Sequence, residues 1–134
     1  MLFRSTSGDD PNLSAIYKMV ELDISGIKRF TAKLSEEKST IPGAKQVFRY
    51  GDRDVLARSG ECGSGQALLR PIVLGGNLVE PLPGLEAIRK YAAESLAHFP
   101  ASIRALDEPS YWPVKHSVEL RTLIDRTRHN LSPQ

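Results

Sequence analysis

Residues 32–49, AKLSEEKSTIPGAKQVFR, contain the turn around which this chain is organised. An extended basic segment leads into a polar run at residues 35–40, and a second basic and apolar segment leaves after Pro42-Gly43. Proline has no amide proton to donate, and glycine adopts backbone conformations that other residues avoid, so the pair marks a turn. The stretch predicts two short strands joined by a turn, with lysines and hydroxyls beside it.

The flanking sequence predicts further short strands. Residues 15–22 carry apolar side chains on both faces, which is typical of a strand covered by another layer. Turn residues 23–26 separate them from residues 27–34, where apolar and polar side chains alternate with period two. The other predicted strands are residues 45–50, 54–58, 66–74 and 77–80, with a glycine-rich loop at residues 59–65.

Helical periodicity begins after the segment Pro81-Leu82-Pro83-Gly84. One helix, ended by Pro100, has an apolar face made of Leu85, Ile88, Ala92, Leu96 and Phe99. Ser117 is the predicted N-cap of a last helix, whose apolar stripe is Leu120, Leu123 and Ile124.

The predicted fold class is therefore α+β: a small antiparallel sheet of short strands followed by two C-terminal helices. We divide the chain into an extended leading segment (residues 1–14), a β-rich subdomain (15–80) and a helical subdomain (81–134).

Composition and charge argue against several classes of protein. The 134 residues fit one domain, and a net charge of +2 is too small to indicate nucleic acid or an anionic membrane as a partner. No apolar run approaches 18 residues, so no membrane span is expected. Arg121, Arg126 and Arg128 lie on the last predicted helix, but Glu119 and Asp125 interrupt them, which favours a solvated helix face over a nucleic-acid site.

The sequence contains no motif for metal binding or nucleophilic catalysis. His98, His116 and His129 are far apart, and neither H-E-x-x-H nor C-x-x-C spacing occurs. Cys62, the only cysteine, excludes an intrachain disulfide and fits a reducing cytoplasm. We therefore expect no metal site and no catalytic residue in this chain.

One group of residues is a candidate binding site. Lysines attract phosphate as point charges, and hydroxyls and turn amides can complete an anion pocket. The candidates are Lys33, Ser35, Lys38, Thr40 and Lys45. The same residues also fit a solvated basic hairpin whose serine and threonine hydrogen-bond their own turn.

The order of several short motifs resembles the C-terminal region of nicotinate phosphoribosyltransferases. They are PNLSAIYKMV at residues 11–20, KLSEEKSTIPGAKQVFR at 33–49, LLRP at 68–71, GNLVEPLP at 76–83 and YWPV at 111–114. Each motif is weak alone, and their shared order and spacing carry the resemblance.

The resemblance implies the part of the enzyme that follows the phosphoribosyltransferase barrel. Full-length members join nicotinate to phosphoribosyl pyrophosphate, with ATP and Mg²⁺, and produce nicotinate mononucleotide for NAD biosynthesis. The family's phosphorylated histidine and phosphate loop lie upstream of the matched region, so no catalytic residue is transferred to this chain. The five candidates above match family positions by motif, which implies a place near substrate phosphate.

The resemblance also sets expectations for partners and activity. We expect the isolated chain to be inactive, to bind no cofactor by itself, and to pair with the family's catalytic barrel or a dimer partner. It would then be a truncated gene product or one piece of a split enzyme. The alternative is a stand-alone, non-catalytic interaction module derived from that domain, and a weaker one is nucleic-acid binding through the last helix.

Overall fold

The computed structural model describes residues 18–34 and 39–131. The predicted leading segment and the first residues of the strand predicted at 15–22 lie outside these ranges. The elements in order are β1 (Glu21–Ile24), β2 (Ile27–Phe30), β3 (Lys45–Arg49), β4 (Asp54–Arg58), β5 (Gln66–Ala67), β6 (Val73–Leu74), β7 (Asn77–Leu78), α1 (Leu85–Ala97), β8 (Val114–His116) and α2 (Val118–Leu131).

Strands β1 and β2 form the predicted hairpin. Ile24 pairs with Ile27, which leaves Ser25 and Gly26 as a two-residue turn with φ of 53° and 81°. Positive φ at both positions is typical of a type I′ turn, which matches the twist of a β-hairpin. The Gly26 amide also donates to Asp23 Oδ1 at 2.9 Å. The Val20 carbonyl accepts from Thr31 and Gly43, so the hairpin is tied to the Pro42-Gly43 turn.

The central sheet has four strands in the order β5-β3-β4-β8. The β3–β4 and β3–β5 pairs are antiparallel, whereas β4 and β8 are parallel. Backbone hydrogen bonds fix the parallel edge: the Asp54 amide donates to the Pro113 carbonyl and the Ser117 amide donates to the Leu56 carbonyl, each at 2.9 Å.

The small core lies between this sheet and α2. Leu120 and Leu123 on α2 are buried, together with Phe48 of β3 and Ala57 of β4. Thr127, one turn further along α2, is also buried, and its hydroxyl donates to the Leu123 carbonyl at 2.8 Å, so no unpaired hydroxyl enters the core.

The elements between β5 and β8 contribute little to this core. Strands β6 and β7 form a separate two-stranded hairpin around Gly75-Gly76, and none of the residues of α1 is buried. Leu85, Ile88 and Leu96, which form the predicted apolar face of α1, are about half exposed.

The predicted α+β class is confirmed, with short strands and two helices in the expected order. Strand β8 was not predicted, and it makes one edge of the sheet parallel. Through β8 and α2, the predicted helical subdomain packs against β4 of the predicted β-rich subdomain. The division of the chain at residues 80 and 81 stays a prediction.

Replacement of Gly43 by alanine is expected to lower the free energy of unfolding by about 2 kcal/mol. Gly43 has φ of 78°, which disfavours any side chain, and a Cβ there would lie 3.0 Å from Leu123 Cδ2. Gly60→Ala is the matched control, since Gly60 lies outside the left-handed region and a Cβ there meets no atom within 4 Å. Urea unfolding followed by circular dichroism measures both, and equal stability of the two variants would contradict the strain.

Candidate functional site

The structure places three of the five candidate phosphate-proximal residues. Ser35 and Lys38 lie outside the described residues. Lys33 and Thr40 bond to each other: the Thr40 amide donates to the Lys33 carbonyl at 3.0 Å, and the Lys33 amide donates to Thr40 Oγ1 at 2.7 Å. This double contact joins the segment that ends at residue 34 to the segment that begins at residue 39, and it is the local bonding that a solvated hairpin would also show.

Lys45 holds the adjacent turn. Its half-buried ammonium donates to the Ile41 carbonyl at 2.7 Å and to the Gly43 carbonyl. Burial lowers the pKa of Lys45, and the charge of Glu21 partly opposes that shift. The carbonyls of the turn therefore already use at least two of the three ammonium protons, so Lys45 has a structural role here.

An ion pair in the central sheet was missed by sequence reasoning. Arg49 and Asp54 are cross-strand partners, and the carboxylate accepts from Arg49 Nε at 3.0 Å and from Nη2 at 2.8 Å. These hydrogen bonds lower the pKa of Asp54 and raise that of Arg49, while burial opposes both shifts. The signal was present in the predicted strands, because residues 49 and 54 flank a short turn and carry opposite charges.

Aromatic rings connect this ion pair to the segment after α1. The Arg49 guanidinium lies 4.8 Å from the centroid of the Phe99 ring, and Phe99 meets Trp112 edge to face at 4.9 Å. The indole nitrogen of Trp112 is buried and makes no hydrogen bond among the described residues, yet its N–H contributes to lowering the pKa of Asp54. We interpret this as attraction beyond hydrogen-bond distance, so the ion pair interacts with the segment between α1 and β8 through Phe99 and Trp112.

Ser117 caps α2, as its sequence position predicted. Its hydroxyl accepts from the Leu120 amide at 3.0 Å and donates to Glu61 Oε1 at 2.7 Å. Glu61 Oε1 also accepts from the Arg58 amide at 2.7 Å. The glycine-rich loop is thereby joined to the start of α2, and it acts as a structural connection.

The described residues do not bring the histidines together. His98 caps the C-terminus of α1, His116 ends β8, and His129 lies in the last turn of α2. Within residues 18–34 and 39–131, no cluster of three histidine, cysteine or carboxylate groups is arranged to hold a metal ion.

The comparisons with known proteins agree on one family. The model of the nicotinate phosphoribosyltransferase C-terminal domain matches residues 60–124, which run from the glycine-rich loop into α2. The chain is similar to the C-terminal region of nicotinate phosphoribosyltransferases. The five candidate phosphate-proximal residues all precede the stretch that the family model matches.

Individual nicotinate phosphoribosyltransferases match a larger share of the chain. Nicotinate phosphoribosyltransferase pncB2 of Mycobacterium tuberculosis is 34% identical over 128 residues, and the mouse nicotinate phosphoribosyltransferase is 29% identical over 149 residues. Each match covers 90% of this chain and only 27% of the relative. The chain thus spans about a quarter of the length of these relatives.

A solved structure supports the fold. The crystal structure of human nicotinic acid phosphoribosyltransferase superposes with a TM-score of 0.62 at 23% identity, over 75% of this chain and 26% of the human chain. The predicted resemblance to the C-terminal region of nicotinate phosphoribosyltransferases is confirmed.

Proposed function

We propose that this chain serves as the C-terminal domain of a nicotinate phosphoribosyltransferase and supports nicotinate mononucleotide synthesis by the family's catalytic barrel. The observation that carries the proposal is the match of residues 60–124 to the C-terminal domain model. In this scheme nicotinate, phosphoribosyl pyrophosphate, ATP and Mg²⁺ bind at the catalytic part, and this chain binds no cofactor alone. The proposed compartment is the cytoplasm; neither helix in the described ranges has the length and hydropathy of a membrane span.

An exposed apolar surface supports docking to another part of the enzyme. The stretch from residue 72 through β6, β7 and α1 exposes large apolar side chains, among them Ile72, Val73, Leu74, Leu78, Leu85 and Ile88. Soluble proteins rarely leave so many large apolar groups uncovered without an interaction partner. Because the chain spans 27% of its relatives, we propose the remaining catalytic part as the partner that covers them.

We also propose that the basic hairpin lies near a substrate phosphate when the chain is docked on the catalytic barrel. Thr40 and Lys45 already bond to the backbone, whereas the Lys33 residue is exposed. Lys33 is therefore the described residue of the hairpin that can reach a substrate phosphate on the docked barrel, and Ser35 and Lys38 stay candidates.

The proposed function is tested by measuring nicotinate mononucleotide formation. A catalytic fragment of the Mycobacterium tuberculosis relative, ending where the match to this chain begins, is assayed alone, with this chain, and with the relative's own C-terminal segment. We expect product in both mixtures and none from this chain alone. Product only with the relative's own segment, while this chain is folded and monomeric, would instead support the stand-alone interaction module.

Replacement of Ile88 by lysine is expected to weaken association with the catalytic fragment by about tenfold or more. Ile88 is 49% exposed on the apolar face of α1, and a charge buried in an apolar interface loses its hydration. Ala87→Lys adds the same charge about 100° around the helix from Ile88, off the apolar face, and is expected to bind like the wild type. Isothermal titration measures both affinities, and equal affinities would exclude this face of α1 from the interface.

A further inference from the structure

A cleft of about 200 Å³ lies between α1 and the β3–β5 side of the central sheet. We call it the α1 cleft. Strand β3 and the β5 segment form one wall, and α1 with its C-cap residue forms the other. The described lining residues are Arg49, Gln66, Leu68, Tyr91, Glu94, Ser95 and His98.

Helix α1 turns a polar face to this cleft. Tyr91, Glu94, Ser95 and His98 are three or four residues apart, so they share one face of the helix. Ser95 is half-buried, whereas every other residue of α1 is exposed. The least exposed residue of α1 is therefore a serine in the α1 cleft and not a member of the apolar face, which is unusual for a helix that only packs on a sheet.

The α1 cleft contains hydrogen-bonding groups that the described part of the chain does not use. The side chains of Gln66, Tyr91, Ser95 and His98 make no hydrogen bond among the described residues. An amide, a hydroxyl and a neutral imidazole can each donate and accept. A ligand in the cleft therefore meets donors and acceptors from both walls.

The two charged groups of the described lining each have a counter-charge. Arg49 is held by Asp54 through Nε and Nη2, which fixes the guanidinium and leaves its other N–H groups able to donate. The carboxylate of Glu94 lies 3.9 Å from the Lys90 ammonium, one turn earlier on α1. Because each charge is already paired, a neutral ligand suits this cleft better than an ion does.

The remaining lining is apolar and small in extent. Leu68 and the ring of Tyr91 can contact the C–H groups of a ligand while the polar groups bind its oxygens. The volume lies below the range of pockets for drug-sized ligands, so the occupant is small. A short carbon skeleton with several hydroxyl groups matches these properties, since each hydroxyl both donates and accepts.

We propose that the α1 cleft binds a small neutral polyhydroxyl compound, such as a sugar or a sugar alcohol. Its hydroxyls bond to Gln66, Tyr91, Ser95 and the fixed Arg49 guanidinium, and its carbon skeleton lies against Leu68. This site belongs to the chain itself and needs no catalytic partner, so it stands or falls separately from the proposed function.

Nuclear magnetic resonance titration of the full 134-residue chain tests the site. Xylitol and D-glucose are the two probes; cyclohexanol, which has a single hydroxyl, and succinate, which is a dianion, are the controls. We expect saturable amide shifts centred on Gln66, Tyr91 and Ser95 with at least one probe, and weaker binding of both controls. Absence of saturable shifts at these residues with both probes, or tighter binding of either control, would overturn the proposal.

Two tyrosines provide a matched pair of variants. Tyr91→Phe removes one hydroxyl from the α1 cleft, whereas Tyr111→Phe makes the same change at a side chain that is 96% exposed and does not line it. We expect Tyr91→Phe to weaken probe binding by about fivefold and Tyr111→Phe to change it less than twofold. Ser95→Ala is the second cleft variant and is expected to weaken binding as Tyr91→Phe does. Unchanged binding in both cleft variants, or equal weakening by Tyr111→Phe, would overturn the site.

Discussion

Replacement of Leu120 by alanine is expected to lower the free energy of unfolding by about 3 kcal/mol. Leu120 is fully buried, and with Leu123 it forms the α2 side of a core that has few other buried side chains among the residues that the structure describes. A loss of this size is a large fraction of the stability of a small domain. Urea unfolding followed by circular dichroism is expected to show a lower midpoint with an unchanged slope.

The control for this substitution is Leu106→Ala. Leu106 is 98% exposed, so the same chemical change removes almost no buried surface. We expect the free energy of unfolding of Leu106→Ala to lie within about 0.5 kcal/mol of the wild-type value. Similar losses in the two variants would mean that α2 does not pack on the sheet as described.

Replacement of Asp54 by asparagine is expected to lower the free energy of unfolding by about 3 kcal/mol, because it leaves the Arg49 guanidinium partly buried without a counter-charge. The side chains of Arg49 and Asp54 are only 21% and 10% exposed. Asp52→Asn is the matched control, since Asp52 pairs with Arg53 in the exposed turn and its side chain is 73% exposed. The control is expected to lower the free energy of unfolding by less than about 1 kcal/mol. An equal loss in the two variants would contradict a larger stabilising role of the Arg49–Asp54 pair.

The same ion pair predicts a pH dependence. The pKa of Asp54 is lower in the folded protein than its ordinary value of 3.8, mainly because of the hydrogen bonds from Arg49. The pair therefore stabilises the fold fully above that ordinary value, and its contribution is lost as the pH falls through the lower folded pKa. Unfolding midpoints measured between neutral and acidic pH are expected to fall less steeply in Asp54→Asn than in the wild type.

Local sequence signals predicted much of the fold. Strand β4 has the predicted bounds, and β3 ends one residue earlier than predicted, because alternation and short turns specify such hairpins locally. Helix α2 begins directly after Ser117, whose hydroxyl makes the expected cap. These features depend on neighbours in the sequence, which is why one sequence was sufficient.

Features that depend on distant contacts were missed. Strand β8 has only three residues, all exposed, and it exists because it pairs with β4, about 60 residues earlier. The apolar face of α1 was predicted, but its exposure was not, since periodicity identifies a face and does not say what covers it. For the candidate site, composition indicated Thr40 and Lys45, whereas their bonds to backbone groups required the three-dimensional structure.

The most direct test of the central claim is the association of this chain with the catalytic part of a nicotinate phosphoribosyltransferase. Sedimentation velocity is measured on the chain, on the catalytic fragment of the Mycobacterium tuberculosis relative, and on their mixture. Our account predicts a one-to-one complex that Ile88→Lys weakens and Ala87→Lys does not. A folded chain that sediments independently of the fragment, under conditions where the relative's own C-terminal segment forms a complex, would contradict it.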